Sequence, residues 1–488
     1  MASNRKVSVD EIRQHASPES CWIVVDGKVW DMTEFAPDHP GGAETILEHA
    51  GRDATEPYSA VHPPSLLPKN LPPNKFIGVL DTTTVDTEWT KPPPKATPEL
   101  TLNQEKPPLQ TIINANDFET VASKTFGAKT WAFYSSAATD CITRDANRST
   151  FDRIWFRPRV LVNVDRADTR SRIMGNDVSM PLFVSPAALA GMAHPEGEKA
   201  LARACKRNGM IQAVSTNASF PIDEIADAAP GHPFIFQLYV DRKRENSAKL
   251  LKMVEGLGVV KAVMFTVDAP VIGKREADER VRADLSVSSP MSKSKASEDK
   301  KGGGVGRTMG SYIDPTSTWE TIAWLKKTTK LPIIVKGVQC AEDAKLCVKY
   351  GCQGIFVSNH GGRELDTAPA AIMVLLELQK NCPEVFEKLE VFVDGGIRRG
   401  TDILKCLCLG ATAVGIGRSF LYSLNYGEDG VEHLIDILKD ELETAMKLVG
   451  ITDLSQVHPG LVNTLDVDHL IPTTVGHPYA RWRPRARI

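Results

Sequence analysis

The sequence predicts an α/β TIM barrel preceded by a small, separate α+β unit, and three observations predict it. Eight short apolar runs lie beyond about residue 109, most of them separated by helix-like stretches. Polar or small residues close the C-terminal ends of seven of those runs. A proline-rich segment, 82–108, with Lys91-Pro-Pro-Pro94 and Lys106-Pro-Pro108, sets this region off from an N-terminal unit of residues 1–81. Such segments are extended, semi-rigid spacers.

The runs are 181–185, 211–215, 234–238, 262–267, 332–336, 354–358, 390–394 and 413–417. Continuous apolar runs suit parallel strands covered on both faces. Stretches such as Ala200–Arg207 suit the intervening helices. Eight strand–helix repeats within 109–460 favour a closed barrel over a doubly wound sheet. The rim residues are Ser215, Gln237, Thr266, Lys336, Ser358, Asp394 and Gly417. In a TIM barrel, strand C-termini gather into one active-site face. Residues 285–310 are rich in Ser, Lys and Gly. They read either as a mobile loop over that face or as a plain insertion. A tail, 461–488, completes the chain.

The chain of 488 residues is 42% apolar, 24% charged and carries a net charge of −3, which gives no reason to expect nucleic acid or a membrane as partner. No apolar run approaches a membrane span, and no signal sequence or presequence is expected from the first residues. Nine cysteines, an odd number without a framework, read as reduced thiols; Cys406-Leu-Cys408 reads as buried structure.

One segment carries chemistry. After the apolar run Gly354–Val357 comes Ser358-Asn-His-Gly-Gly-Arg-Glu-Leu-Asp366. Glycines let a ligand approach the backbone. His360 moves protons near neutral pH, and Arg363 holds a carboxylate through paired hydrogen bonds. A base and an anion clamp three residues apart point to a small acid as substrate. A second motif, Phe35-Ala-Pro-Asp-His-Pro-Gly-Gly42, lies in the first unit, with Tyr58-Ser-Ala-Val-His-Pro63 beyond it. His15 and His49 have no such context and read as surface residues.

The first of these segments resembles the signature of the FMN-dependent 2-hydroxy acid dehydrogenases. The second resembles the cytochrome b5 haem motif. Together they resemble the flavocytochrome b2 type, with cytochrome-linked L-lactate dehydrogenase activity, over nearly the whole chain. That resemblance implies His39 and His62, 23 residues apart, as axial ligands of haem b. It implies His360 as base, Asp268 as its carboxylate partner, and Arg363 and Arg275 as carboxylate-binding arginines. Tyr239 would bind the substrate, and Lys336 would stabilise reduced flavin. Ser185, Pro186, Ala187, Ser215, Gln237, Thr266 and Ser358 are implied flavin contacts. Asp394, Gly395, Gly396, Arg398, Gly417 and Arg418 are implied contacts of the ribityl phosphate. The implied cofactors are FMN and haem b. The implied partners are a 2-hydroxy acid, a one-electron acceptor such as cytochrome c, and further copies of the chain in a homotetramer.

The sequence departs from the family pattern at informative places. Phe133 stands where the family has a tyrosine that contacts the substrate carboxylate. Asn217 faces Ala188 in the implied side-chain pocket, where a lactate specialist would carry an apolar residue. Location stays open. The family suggests the mitochondrial intermembrane space, while Ala486-Arg-Ile488 loosely resembles a peroxisomal address. Two rival readings are an oxygen-using oxidase and a haem-binding electron carrier on an inactive barrel.

Overall fold

The computed structural model describes residues 5–39, 43–47, 49–59, 62, 63, 66–86, 89 and 106–473. The chain divides into two compact units, residues 1–101 and 102–488.

The first unit is built on Ser20–Val25, which pairs antiparallel with Lys28–Asp31 across Asp26-Gly27. Both turn residues have positive φ, as a two-residue hairpin with the strand twist requires. Strands Lys6–Val7, Phe76–Leu80 and Ala16–Ser17 extend the sheet, and Arg52–Asp53 pairs with its central strand. The two-residue period of a strand sends alternate side chains to opposite faces. Ile23 and Val25 therefore join Trp30, Met32, Ala36, Ile46 and Leu67 in one core, while Val24 joins Val7, Val29 and Leu80 in another. Trp89 completes that second core, 4% exposed, and donates from Nε1 to Gly51 O at 2.9 Å. The stretch just after Asp81 also packs on the unit: Thr82–Thr84 is a 3-10 turn, and Thr84 Oγ1 accepts from Val9 N. Residues 90–105, most of the proline-rich segment, and the tail from 474 lie outside the described residues.

The second unit contains the barrel. Its eight strands are Leu182–Val184, Ile211–Ser215, Phe234–Leu238, Val260–Thr266, Ile333–Val338, Gly354–Val357, Glu390–Val393 and Ala413–Ile416. All neighbours are parallel, and the first strand pairs with the eighth to close the ring. Each strand falls on one of the eight expected runs. Phe183, Ile235, Met264, Ile334, Phe356 and Phe392 fill the lumen, while residues such as Val184, Phe236 and Val335 face the helices. A hairpin, Ser171–Ile173 with Asn176–Val178, packs Ile173 and Val178 against the lumen core. Met174 N there donates to Glu390 at the start of the seventh strand, so the hairpin closes the N-terminal mouth. The C-terminal ends remain as the open face.

Residues 285–310 bury more than their composition predicts. Ala296, Val305 and Met309 are buried in the main core, with Val287 and Met291 packed against it. The buried Ser289 donates to Thr216 O at 3.2 Å. The polar composition is accommodated because a few irregularly spaced apolar residues turn inward while 297–301 stay exposed. His49 also differs from expectation: it is half-buried and its Nδ1 lies in the interior, while His15 stacks on Trp22 at 3.5 Å.

A first test concerns the reach of the N-terminal core. Trp89→Ala removes a buried indole and its hydrogen bond, and is expected to lower the stability of the first unit by about 3 kcal/mol. A urea midpoint unchanged from wild type would show that Trp89 lies outside that core.

Candidate active site

A cavity of about 600 Å3 opens at the C-terminal face of the barrel, within the range of roughly 300–1,000 Å3 typical of small-molecule sites. Every sequence-predicted barrel residue lines it except Asp268 and Ser358. Ser358 is fully buried and is no cavity contact. Its Oγ accepts from Lys336 Nζ at 3.1 Å and from His360 N at 3.0 Å, because the strand ends one residue earlier and turns its hydroxyl back under the rim.

Asp268 lies just behind the cavity wall, with a side chain 1% exposed. Its Oδ1 is 2.8 Å from His360 Nδ1, and its Oδ2 accepts from Lys336 Nζ at 3.3 Å. A bulge makes this approach possible: Val338, not Gly337, pairs with Val357. Gly337 has φ +108°, and a Cβ there would sit 2.6 Å from Asp268 Cβ. Burial alone would push the Asp268 carboxyl up, but the charges and hydrogen bonds of His360 and Lys336 outweigh it and hold the pKa at about 2. An ionised carboxylate only accepts, so His360 Nδ1 carries the proton of this hydrogen bond and Nε2 is left as the nitrogen free to exchange a proton with a ligand. Nε2 lies 3.5 Å from the Tyr239 hydroxyl.

His360 itself has φ +58°, followed by Gly361 and Gly362 at +64° and +77°. A left-handed histidine is a strained arrangement that surrounding contacts must fix. The fixing contacts are Asn359 and Asn147, whose side-chain amides exchange two hydrogen bonds of 2.8 Å. Asn359 Oδ1 also accepts from Gly362 N. Asn359 sits within the signature segment but Asn147 carried no local signal in the sequence; they meet across 212 residues.

Three arginines converge beside this base. Arg363 Nη1 donates to the carbonyls of Phe133, Tyr134 and Ser136. Arg275 forms an ion pair with Glu364 and donates from Nε to Arg363 O. Glu364 immediately follows Arg363 in the signature segment, so its place in that motif is the local signal for this role. Burial first, then the charges of Arg275 and Arg418, push the Arg363 guanidinium well below its ordinary pKa. A bound anion relieves that repulsion. Phe133 contributes its face: the Arg363 guanidinium lies 5.1 Å from the ring centroid, which recovers part of what the missing hydroxyl loses. Tyr134 points away, donating to Leu189 O. On the opposite wall, Asn217 Oδ1 accepts from Tyr312 at 3.2 Å, with Ala188, Met309 and Ile313 nearby in the lining.

The remainder of the cavity fits FMN. Gln237 Oε1 accepts from Ser215 Oγ and Thr216 N, and its Nε2 donates to Thr266 Oγ1, giving a fixed polar row along three strand ends. Ser185 Oγ and Asp394 Oδ1 are buried without a hydrogen-bond partner among the described residues, as suits a ligand with donors and acceptors of its own. Burial raises the Asp394 pKa, with Lys336 opposing. Gly395, Gly396 and Gly417 expose backbone at the far end, where Arg398 also lies. Arg418, the third arginine beside the base, also lines the cavity, and its nitrogens donate to Tyr134 O, Gly361 O and Ser136 O.

In the first unit, the His39 and His62 rings lie next to each other with centroids 6.1 Å apart. Their planes are inclined at 79°, and two imidazoles at this separation would be placed to hold one haem iron between them. Phe35 lies beside His39 and Tyr58 beside His62, in a cluster with Ile46, Leu47 and Leu71. Two neighbouring histidines set among apolar and aromatic side chains fit haem b. Gly41 and Gly42 lie outside the described residues.

A dehydrogenase barrel and a haem unit on one chain define the class, and comparison with known proteins agrees. Residues 122–464 match the FMN-dependent dehydrogenase family, and residues 8–81 match the cytochrome b5-like heme/steroid binding domain. The chain belongs to the FMN-dependent dehydrogenases, carries an N-terminal cytochrome b5-like domain, and uses FMN and haem b as cofactors. It is 42% identical to L-lactate dehydrogenase (cytochrome) of Saccharomyces cerevisiae, over 98% of this chain and 82% of that protein. Glycolate oxidase of Spinacia oleracea is 41% identical, but over only 71% of this chain. The solved flavin-binding domain of baker's yeast flavocytochrome b2 superposes with a TM-score of 0.67 at 41% identity, covering 79% of this chain and 96% of that one.

The Asp268 pKa has a consequence for stability. A folded-state value of about 2 lies below the ordinary carboxyl value of 3.8, so the pair contributes on the order of 2 kcal/mol at neutral pH. That contribution is complete above about pH 4 and lost as pH falls through about 2. Asp268→Asn is expected to destabilise at pH 7, with the difference from wild type shrinking toward pH 2. Urea unfolding at several pH values checks this, and a difference independent of pH would refute it.

Proposed function

We propose that this chain oxidises L-2-hydroxy acids, L-lactate foremost, to 2-oxo acids, and passes the electrons singly through haem b to cytochrome c. The observation that carries this reading is the His360–Asp268 pair beside Arg363 and Arg275, on a chain that also holds the His39–His62 clamp. The yeast lactate dehydrogenase aligns with both units, whereas the glycolate oxidase match covers too little of the chain to include them both.

In this reading Arg363 and Arg275 bind the substrate carboxylate. The Tyr239 hydroxyl orients the substrate hydroxyl beside His360 Nε2. His360 takes a proton from the substrate at Nε2, and Asp268 stabilises the imidazolium that results. Lys336 places a fixed positive charge where the ring system gains negative charge. FMN supplies a two-electron acceptor, and haem b a one-electron relay. Arg398 and the glycine turns at Gly395, Gly396 and Gly417 hold the phosphate. Arg418 acts by holding the turn that carries His360. We also propose, on family analogy, a homotetramer, which light scattering tests.

An anaerobic visible spectrum before and after addition of L-lactate is the primary test. Flavin bleaching followed by reduced-haem bands is the expected result. Bleaching without haem reduction would favour an oxidase, and no reduction by any 2-hydroxy acid would favour the inactive barrel. His360→Gln is expected to lower the rate of flavin reduction by about 10^2 to 10^4, with FMN content unchanged. Asn217→Leu makes the side-chain pocket apolar and is expected to raise kcat/KM for lactate over malate by roughly tenfold. An unchanged ratio would remove Asn217 from specificity.

A further inference from the structure

Lys129 lies one turn before Phe133 on the helix Ala128–Ser135, outside the cavity. Its ammonium is enclosed by oxygens of one insertion, the segment that follows Arg275. Nζ donates to Asp278 O at 2.6 Å, Gly303 O at 2.7 Å and Val281 O at 3.0 Å. It also sits 2.7 Å from Asp278 Oδ1, with the lysine side chain 11% exposed and the aspartate 1%. The three ammonium hydrogens serve the three carbonyls, and the buried Asp278 carboxylate meets the same ammonium as an ion pair, its Oδ1 making no hydrogen bond among the described residues. Val281 and Gly303 belong to the outgoing and returning limbs of the insertion, so one side chain clasps both.

The clasp connects to the cavity. Asp278 Oδ2 accepts from Gly306 N at 3.2 Å. Gly306 belongs to the short helix Val305–Met309, whose Val305, Gly306 and Met309 line the cavity. Arg275 packs directly on that glycine: a Cβ at Gly306 would lie 2.3 Å from Arg275 Nη1. Lys129, Asp278, Gly306 and Arg275 thus form a continuous series from the helix bearing Phe133 to a guanidinium in the cavity. Lys129 and Asp278 themselves do not line the cavity. Between its two limbs the segment exposes Lys293, Lys295, Lys300 and Lys301.

We propose that Lys129 and Asp278 are positioning residues that clasp segment 278–306 over the cavity and set Arg275 for binding of the substrate carboxylate. This rests on the proposed oxidation of 2-hydroxy acids. The pair governs how tightly the small acid is held, while proton transfer at His360 proceeds as before once it is bound. Releasing the clasp lets Gly306 withdraw from Arg275 and exposes the lysines of the segment to protease.

The test uses the full-length holoenzyme with Lys129→Met, Lys129→Arg and Asp278→Asn. The methionine variant keeps the length and apolar stem of lysine and removes the donors. Three quantities are read: kcat and KM for L-lactate, pyruvate affinity from perturbation of the flavin absorbance, and the rate of tryptic cleavage after Lys293 to Lys301. For Lys129→Met we expect KM and the pyruvate dissociation constant to rise at least tenfold. kcat should stay within about twofold, FMN content should be unchanged, and cleavage should accelerate at least tenfold. Lys129→Arg should recover part of each loss, and Asp278→Asn should follow Lys129→Met. Ligand affinity within twofold of wild type would overturn the proposal, whether or not cleavage accelerates. A fall in kcat with KM unchanged would also overturn it. Pyruvate binding and proteolysis need no turnover, so they judge the clasp even if the wild-type protein oxidises no 2-hydroxy acid. That last outcome would sink the functional reading alone.

Discussion

The active face depends on one buried carboxylate. Asp268 sits between His360 Nδ1 and Lys336 Nζ, and so joins the ends of three neighbouring strands. A buried ion costs several kcal/mol unless it is paired and fully hydrogen-bonded. Here the pairing is two-sided, which keeps the carboxyl ionised despite burial and fixes the His360 tautomer. The bulge at Gly337 is what admits Asp268 to that position. The strained turn at His360 is held by the Asn147–Asn359 amide pair and by Arg418. Base, cation and turn are therefore one mechanical assembly.

Charge organises the rest of the cavity. Arg363, Arg275 and Arg418 crowd one region, and only part of their charge is met by Glu364. Each guanidinium is held by backbone carbonyls or a carboxylate, so the cations cannot turn away from one another. A carboxylate ligand lowers the energy of an arrangement the fold already imposes. This is preorganisation: the repulsion is present before the ligand arrives, and the ligand removes it. The haem unit follows the same logic with apolar walls, since two neighbouring imidazoles are kept apart at a fixed spacing by the cluster around them.

Much of this was legible in the chain itself. The barrel strands are continuous apolar runs because both faces are covered, and that pattern needs no partner to be seen. Lys336, Asp394 and His360 stood out as polar groups where packing alone would place apolar ones. Ser358 belonged to the same pattern, yet it turned out to serve Lys336 and the His360 amide instead of the cavity. A strand's last residue can point to either side of the rim, and one-residue differences in strand length decide which. Segment 285–310 showed a second limit. Its apolar residues are spaced too irregularly to read as a buried face, and they are inside only because neighbouring elements offer them a surface.

Sequence by itself determined the class of the molecule: two units, eight strands, a proton-transfer motif with its arginine, and a pair of histidines. These are local, since periodicity and short motifs act within a few residues. Tertiary structure decided which residues support them. Asn147 meets Asn359 across 212 positions, Lys129 reaches Gly303 across 174, and Tyr312 reaches Asn217 across 95. A buried polar side chain must find its partner wherever the chain brings one. No local pattern encodes that choice, because it is made by the closing of the barrel and the path of the insertions above it.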